Sequence, residues 1–188
     1  MANIAWTNLL NLQSKSYTCG HCANPIAAQT GFTGKESNTT SAYIYICHFC
    51  KMPTFFYQDI QIPGAQFGHP VKHIPDANVE KLYEEARSCF SYNAFTSSVM
   101  CCRKLLMNIA VSEGAKEGDF FVNYVDYLEQ NNFIPPKGKA WVEAIRKIGN
   151  EANHSIEFKS QEEARLILTF VEMLLKFIYE MPGMLGNP

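Results

Sequence analysis

Residues 19–50 read CGHCANPIAAQTGFTGKESNTTSAYIYICHFC, a stretch that begins and ends with a Cys-x-x-Cys pair. Two residues between paired thiolates allow a tight turn to direct both sulfurs at one ion. Two such turns supply the four thiolates of a closed tetrahedral zinc shell, with Zn–S distances of about 2.3 Å. A closed shell leaves no coordination position for a substrate. The pattern therefore predicts one structural Zn²⁺ held by Cys19, Cys22, Cys47 and Cys50.

The same four cysteines also allow two disulfides or four free thiols. The first residues, MANIAWTNLL, show neither a basic n-region nor a long apolar h-region, so they do not indicate secretion. Tight cysteine pairs in a cytoplasmic protein favour metal over disulfides, and we expect a cytoplasmic protein. His21 and His48 lie inside the pairs. Because four cysteines already satisfy the ion, both histidines are expected outside the ligand set.

Two runs around the second cysteine pair have the composition of strands. Ala42–Ile46 (AYIYI) and Thr54–Tyr57 (TFFY) are rich in β-branched and aromatic residues. Residues 62–75 are rich in proline and glycine and are predicted to form an irregular arm. We therefore assign residues 1–75 to a small β zinc ribbon with a connecting arm. Its apolar residues are few, so metal binding should contribute to its folding.

The predicted ribbon carries an unusual number of aromatic side chains. On alternating strand positions they would form a small core. On an exposed face they would stack nucleic-acid bases instead. Core packing is the commoner use and is the interpretation we favour. The aromatic residues are Tyr43, Tyr45, Phe49, Phe55, Phe56 and Tyr57.

Helical periodicity begins at Asp76, so residues 76–188 are predicted to be an all-α bundle and the chain to be α+β. Asp76 is a candidate N-cap of a first helix that ends near residue 91. A capping box at Ser160 starts the last helix, which should end before Pro182. Between them we expect helices over 93–112 and 119–130 and a shorter one through Trp141 and Ile145.

The last predicted helix is apolar on two faces. Ile167, Val171, Leu174 and Ile178 form one stripe, and Phe170, Met173 and Phe177 form another. A bundle would cover one stripe and a second protomer the other, so we predict a homodimer. Glu172 and Lys176 lie within this segment, which argues against a membrane span. The net charge of −2 excludes a global basic field that would draw the chain to nucleic acid or membrane.

Two stretches, YEEARSCFSYNAFTSSVMCCRKLL (83–106) and IRKIGNEANH (145–154), resemble a bacterial domain of unknown function, DUF4145. This domain is grouped with the HEPN superfamily. The Glu85-Ala86 pair, Arg103 and the IRxxGNxxxH string carry the resemblance, which covers about residues 75–181. It implies a HEPN-like helical bundle that dimerises, often in prokaryotic defence, and that is commonly preceded by a zinc ribbon.

Active members of the HEPN superfamily cut RNA without metal, using an arginine and a histidine. By the resemblance, His154 matches this histidine and Asn150 the polar residue that follows the arginine, but Gly149 occupies the arginine's position. The nearest guanidinium belongs to Arg146. On an unbroken helix it would lie about 80° around the axis and about 12 Å along it from His154, which is poor geometry for joint action on one phosphate.

The candidate nucleic-acid contacts of the helical half are Arg103, Lys137, Lys139 and Lys147, although this half is net acidic. Structural roles are the commoner use of such residues: Asn150 as a cap after a turn at Gly149, His154 on a buried carbonyl, and Arg103 paired with an acidic residue. The departure at Gly149 favours a non-catalytic module that binds RNA, a nucleotide or a protein. The alternatives are a metal-independent endoribonuclease, acting as a toxin or anti-phage effector, and a structural subunit of a larger complex.

Overall fold

A computed structural model describes residues 4–135, 138–154 and 157–186 of the chain, and for residues 139 and 149–154 it describes the backbone alone. The chain divides into two compact units, residues 1–66 and 67–188. The first unit is an antiparallel sheet and the second is helical. The predicted α+β class is confirmed.

The first unit is a meander of five antiparallel strands that follow one another in sequence order. The two predicted strand segments are confirmed, because AYIYI ends the third strand and TFFY lies in the fourth. The strands are β1 (Leu10–Thr18), β2 (Pro25–Glu36), β3 (Thr39–Ile46), β4 (Pro53–Tyr57) and β5 (Ile60–Ile62). A cysteine pair follows β1 and another follows β3, so the two pairs lie at the same end of the sheet.

Burial alternates along β4, and its buried residues share a face of the sheet with Tyr45 of β3. Tyr45 lies opposite Thr54, and both side chains are buried. Phe56 is buried beside Tyr45, with ring centroids 5.8 Å apart, so the core interpretation is confirmed for these two aromatic residues. Phe55 points to the other face and is exposed, as is Phe49 in the second cysteine turn.

The core of this sheet is small. Its buried members are Cys19, Ile26, Ala28, Tyr45, Cys47, Cys50 and Phe56, with Tyr17 among the residues packed against them. Because three of these seven side chains are cysteines, apolar burial alone gives this unit little stability.

The helices of the second unit begin largely where their caps predict. Asp76 accepts a hydrogen bond from the backbone N–H of Asn78, and Ser160 and Glu163 form the predicted capping box. The helices are α1 (Ala77–Ser91), α2 (Phe95–Ser112), α3 (Phe121–Gln130), α4 (Lys139–His154), α5 (Gln161–Leu175) and α6 (Met181–Met184). In the described ranges, no helix has the length and apolar character needed to cross a membrane.

Helix α4 is longer than predicted and runs without a break through Gly149. A glycine inside a helix costs about 1 kcal/mol relative to alanine. Burial of Val142, Ile145 and Ile148 against the core outweighs that cost. The predicted turn at Gly149 is therefore wrong, and so is the suggestion that Asn150 caps a new helix, because its backbone lies inside α4.

The predicted end of the last helix is also wrong. After α5 the chain forms a π-helical turn, Lys176–Glu180, and then α6, which contains Pro182 near its start. Proline lacks a backbone N–H and is tolerated best in the first turn of a helix. The wider π turn lets the chain start a new helical segment at Met181, whose N–H donates to the carbonyl of Lys176.

The two apolar stripes of the last helix are covered unequally. Ile167, Val171 and Leu174 are fully buried in the bundle. In the second stripe Phe170 is buried, while Met173 and Phe177 remain 37% and 49% exposed. The bundle therefore covers the first stripe and leaves most of the second on the surface.

The segment that precedes α1 is tied to the helical unit by buried polar side chains. Arg87, only 2% exposed, donates to the carbonyls of Phe67 (3.2 Å) and Gly68 (3.0 Å). The Tyr83 hydroxyl donates to the carbonyl of His69 at 2.9 Å. Glu172 on α5 accepts from the His69 ring at 3.1 Å. These contacts explain why residues from Phe67 onward group with the helices.

Glu172 should make the helical unit lose stability as the pH falls into the acidic range. Burial would raise its pKa, but hydrogen bonds from Lys176 and His69 outweigh burial and lower it. The stabilisation is therefore present above the unfolded-state pKa of about 4.3 and is lost as the pH falls through the lower, folded-state value. We expect Glu172→Gln to lower the unfolding temperature near neutral pH and to weaken its fall in acid.

Thermal unfolding followed by circular dichroism across the acidic range measures this effect. Glu117→Gln, in an exposed loop, is the matched control and should follow the wild-type profile. Parallel acid profiles for Glu172→Gln and wild type would contradict the prediction.

Candidate metal centre

The first cysteine turn, which follows β1, is closed by its own backbone. The N–H of Cys19 donates to the carbonyl of Asn24 at 3.0 Å, and the N–H of Ala23 donates back to the carbonyl of Cys19 at 2.9 Å. Ala23 has φ +57°, in the left-handed region that costs a non-glycine residue about 1–2 kcal/mol. The turn thus holds a strained residue to bring Cys19 and Cys22 together.

The second turn repeats this design after β3. The N–H of Cys47 donates to the carbonyl of Met52 at 3.0 Å, and the N–H of Lys51 donates to the carbonyl of Cys47 at 2.9 Å. Lys51 has φ +62°, at the position that corresponds to Ala23. The Trp6 indole N–H donates to the carbonyl of Lys51 at 2.7 Å and fastens the N-terminal segment to this turn.

The four sulfurs converge with the dimensions of a tetrahedral metal site. Sγ of Cys19 lies 3.7 Å from Sγ of Cys50, and Sγ of Cys22 lies 3.7 Å from Sγ of Cys47. All four lie within 4.8 Å of one another. A regular tetrahedron with Zn–S distances of about 2.3 Å has edges of about 3.8 Å. The sulfurs are too far apart for disulfides, which need about 2.05 Å, and the disulfide interpretation is wrong.

The two histidines inside the cysteine turns are not part of the four-sulfur group. Nε2 of His21 lies 3.0 Å from the carbonyl oxygen of Pro53 and, as the N–H tautomer, donates to it. This bond links the first turn to the start of β4. The ring of His48 is exposed and lies 4.4 Å from that of Phe49. The four-sulfur set is the one group of three or more candidate ligands within the residues that the structure describes.

Electrostatics at the cluster explain why it suits a cation. Burial alone would raise the pKa of Cys22, but the backbone N–H and the side-chain amide of Asn24 lower it to about 7. Burial and the neighbouring sulfurs raise the pKa of Cys50 to about 12. Metal ligands must be thiolates, so four of them crowded together need a positive ion between them. The donor set and its dimensions fit zinc.

Arg146, a candidate for RNA chemistry, is held by carboxylates in the helical unit. Its Nε donates to Asp126 at 2.7 Å and its Nη2 to Glu129 at 2.8 Å, while Nη1 lies 3.5 Å from Glu143. Burial alone would lower the pKa of Arg146, but the first two carboxylates raise it above its usual value. The guanidinium thus joins α4 to α3, and a phosphate would have to compete with three carboxylates for it.

Arg103, another predicted contact, is not brought together with Arg146. The Arg103 guanidinium lies 4.4 Å from the ring centroid of Phe121, at the start of α3, whereas Arg146 contacts the second half of α3. Lys147 is exposed on α4. Lys137 and the side chains of Lys139, Asn150 and His154 lie outside the described residues.

The roles of two arginines could not be predicted from the sequence. Arg87 lies one residue beyond the Glu85-Ala86 pair, and nothing local distinguishes its buried side chain from a solvated one. The carboxylates around Arg146 are only weakly indicated by the sequence. Asp126 and Glu129 are three residues apart and so share one face of α3. Only packing shows that this face meets α4.

Comparison with known proteins gives a family match for the helical unit. A family model described as "Domain of unknown function (DUF4145)" matches residues 84–184, which span most of α1 through α6. No curated protein and no solved structure matches the chain. The matched range lies outside the cysteine-bearing sheet.

Removal of one ligand should abolish stable metal binding. We expect the dialysed wild-type chain to retain about one zinc ion and Cys19→Ser or Cys47→Ser to lose it, because three thiolates no longer close the shell. Metal content by emission spectrometry and competition with a chromophoric chelator measure this. Cys89→Ser, on α1 and outside the cluster, is the matched control and should keep the ion. A metal-free wild type would contradict the assignment.

Proposed function

Since the chain belongs to the DUF4145 family, whose model matches residues 84–184, we propose that it is a zinc-binding, HEPN-like protein with a non-catalytic helical binding module. The proposal joins a structural metal in the sheet to a bundle that presents a surface rather than reactive groups. Its main support is the unbroken course of α4 through Gly149, together with the engagement of Arg146 by carboxylates.

A structural role for zinc follows from the ligand set. Four thiolates complete a tetrahedral shell and leave no position for water or substrate. The ion would hold together a unit whose own core is small. Its binding free energy, roughly 10–16 kcal/mol in zinc-finger peptides, would become folding free energy.

The geometry of α4 argues against endoribonuclease activity. On a continuous helix, Arg146 and His154 lie about 12 Å apart along the axis and about 80° apart around it. General acid–base catalysis beside a stabilised phosphoryl group needs both side chains at one phosphate. The arginine, moreover, already neutralises carboxylates from α3. These features favour binding over cleavage.

We assign the partner surface to an apolar ridge on the last helical segments, formed by Met173, Phe177, Met181 and Leu185. These residues recur every fourth position and are 37–81% exposed. Ridges with four-residue spacing interdigitate with like ridges on another helix in the commonest class of helix packing. A second copy of the chain, related by a two-fold axis, offers such a ridge. The proposed occupant is therefore a second protomer.

Wild-type protein and His154→Ala should leave a mixed RNA pool equally intact, with or without added metal. Denaturing gels of the incubated pool measure this. Cleavage by wild type that is lost in His154→Ala would establish an endoribonuclease and overturn the non-catalytic assignment. In a parallel gel shift, salt-sensitive binding of short single-stranded RNA would identify RNA as the bound partner. A salt-insensitive interaction, or none, would point to a protein partner.

Charge on the apolar ridge should separate the protomers. At micromolar concentration we expect wild type to sediment as a dimer and Phe177→Glu as a monomer, because burying an unpaired carboxylate in the interface is costly. Phe120→Glu, at another highly exposed aromatic residue, is the matched control and should remain dimeric. A monomeric wild type, or a dimeric Phe177→Glu, would contradict the assignment of this surface.

A further inference from the structure

The two cysteine turns share one backbone design but differ in how their second cysteine is covered. In the first turn the N–H of Cys19 donates to the carbonyl of Asn24, and in the second the N–H of Cys47 donates to the carbonyl of Met52. Asn24 and Met52 therefore occupy matching positions, each two residues after the second cysteine of its pair. One position carries an amide and the other an apolar thioether, so the surroundings of the two sulfurs differ.

The second turn covers its second cysteine by burial. Cys50 is 8% exposed and belongs to the buried core of the sheet. Met52 is half-buried and packs against that core. A buried cysteine is poorly reached by reagents in the solvent and is correspondingly inert. Burial therefore protects the sulfur of Cys50.

The first turn leaves its second cysteine more exposed and gives it a hydrogen bond from a side chain. Cys22 is only partly buried, whereas Cys19 and Cys47 are completely buried, so Cys22 is the most exposed cysteine of the cluster. The side-chain amide of Asn24 donates to Sγ of Cys22 at 3.4 Å. Asn24 is half-buried as well, which limits competition from water for this bond. The most exposed sulfur thus receives an amide donor.

We propose that the side-chain amide of Asn24 is a positioning group of the metal centre, which keeps the Cys22 thiolate in the ligand shell and protects it from protons and electrophiles. The ion can leave once one thiolate has been protonated or alkylated, and the most exposed sulfur is the one that such reagents reach first. An N–H donor withdraws electron density from the thiolate and fixes its direction, as outer-shell partners do at other metal sites. This inference rests on the proposed zinc centre.

The rate of zinc transfer from the full chain to a chromophoric chelator measures the role of Asn24. Asn24→Leu keeps the approximate size of the side chain and removes the donor. Asn24→Asp keeps the shape and replaces the donor with a carboxylate that repels the thiolate. We expect release to be about 10-fold faster from Asn24→Leu, at the low end of the effect of groups that support metal ligands, and faster still from Asn24→Asp.

Two controls separate the hydrogen bond from packing. Asn11→Leu makes the same exchange at an exposed position of β1, and Met52→Leu changes the matching position of the second turn while keeping it apolar. Both variants should release zinc at the wild-type rate. Equal acceleration in Met52→Leu and Asn24→Leu would show that packing of the turns controls release, and would overturn the role of the amide.

Alkylation by iodoacetamide locates the ligand at which the centre opens. The thiolate sulfur attacks the reagent carbon, an S–C bond forms, the C–I bond breaks and iodide leaves. Peptide mass spectrometry of the zinc-loaded protein after short exposure should find Cys22 modified before Cys19, Cys47 and Cys50. The rate at Cys22 should rise in Asn24→Leu. Earlier modification of another ligand would overturn the assignment of Cys22 as the opening point.

Cobalt substitution gives a readout at the sulfurs themselves. Without the N–H donor the Cys22 thiolate becomes more electron-rich, so the sulfur-to-cobalt charge-transfer band should move to lower energy in Asn24→Leu and stay in place in Asn11→Leu. A tetrahedral cobalt spectrum also shows that each variant has folded around the metal. Wild-type release rates and an unshifted band in the Asn24 variants would overturn the role of the amide and leave the zinc centre intact. Failure of wild type to bind zinc or cobalt would instead overturn the proposed zinc centre.

Discussion

The fold of the first unit depends on four thiol sulfurs that lie within 4.8 Å of one another. Thiolates this close repel one another, so the arrangement is stable as a ligand set only with a cation at its centre. The surrounding sheet contributes few buried apolar residues, and three of them are the cysteines themselves. Strained backbone at Ala23 and Lys51, in matching positions of the two turns, brings the sulfurs together. The strands order around this point, since the turns join β1 to β2 and β3 to β4.

The helical unit is stabilised in a different way from the sheet. Its core is broad and apolar, and two arginines connect elements that pack on it. Arg146 joins α4 to α3 through two close carboxylates, and Arg87 holds the segment at Phe67 and Gly68 against α1. An arginine that is engaged in such hydrogen bonds is poorly available to a phosphate. The family match covers these helices and leaves out the sheet, so the four-cysteine cluster lies outside the matched range.

We propose that the two units present a surface rather than carry out chemistry. A closed thiolate shell offers no position for a substrate. In the bundle, the ridge from Met173 to Leu185 stays exposed, although α5 buries Ile167, Val171 and Leu174 completely on its other face. Isolated exposed apolar residues are ordinary, but a row at four-residue spacing is the pattern of a helix that packs on another helix. The binding function that we propose uses this surface.

Local patterns in the sequence determined the cysteine set, the strands around it, the caps at Asp76 and Ser160 and the order of the helices. Each of these depends on residues a few positions apart, so spacing alone identifies them. Tertiary structure decided the rest. Burial of Val142, Ile145 and Ile148 carries α4 through Gly149, and α3 supplies the carboxylates that occupy Arg146. Contacts between segments far apart in sequence depend on packing, and no local periodicity records them.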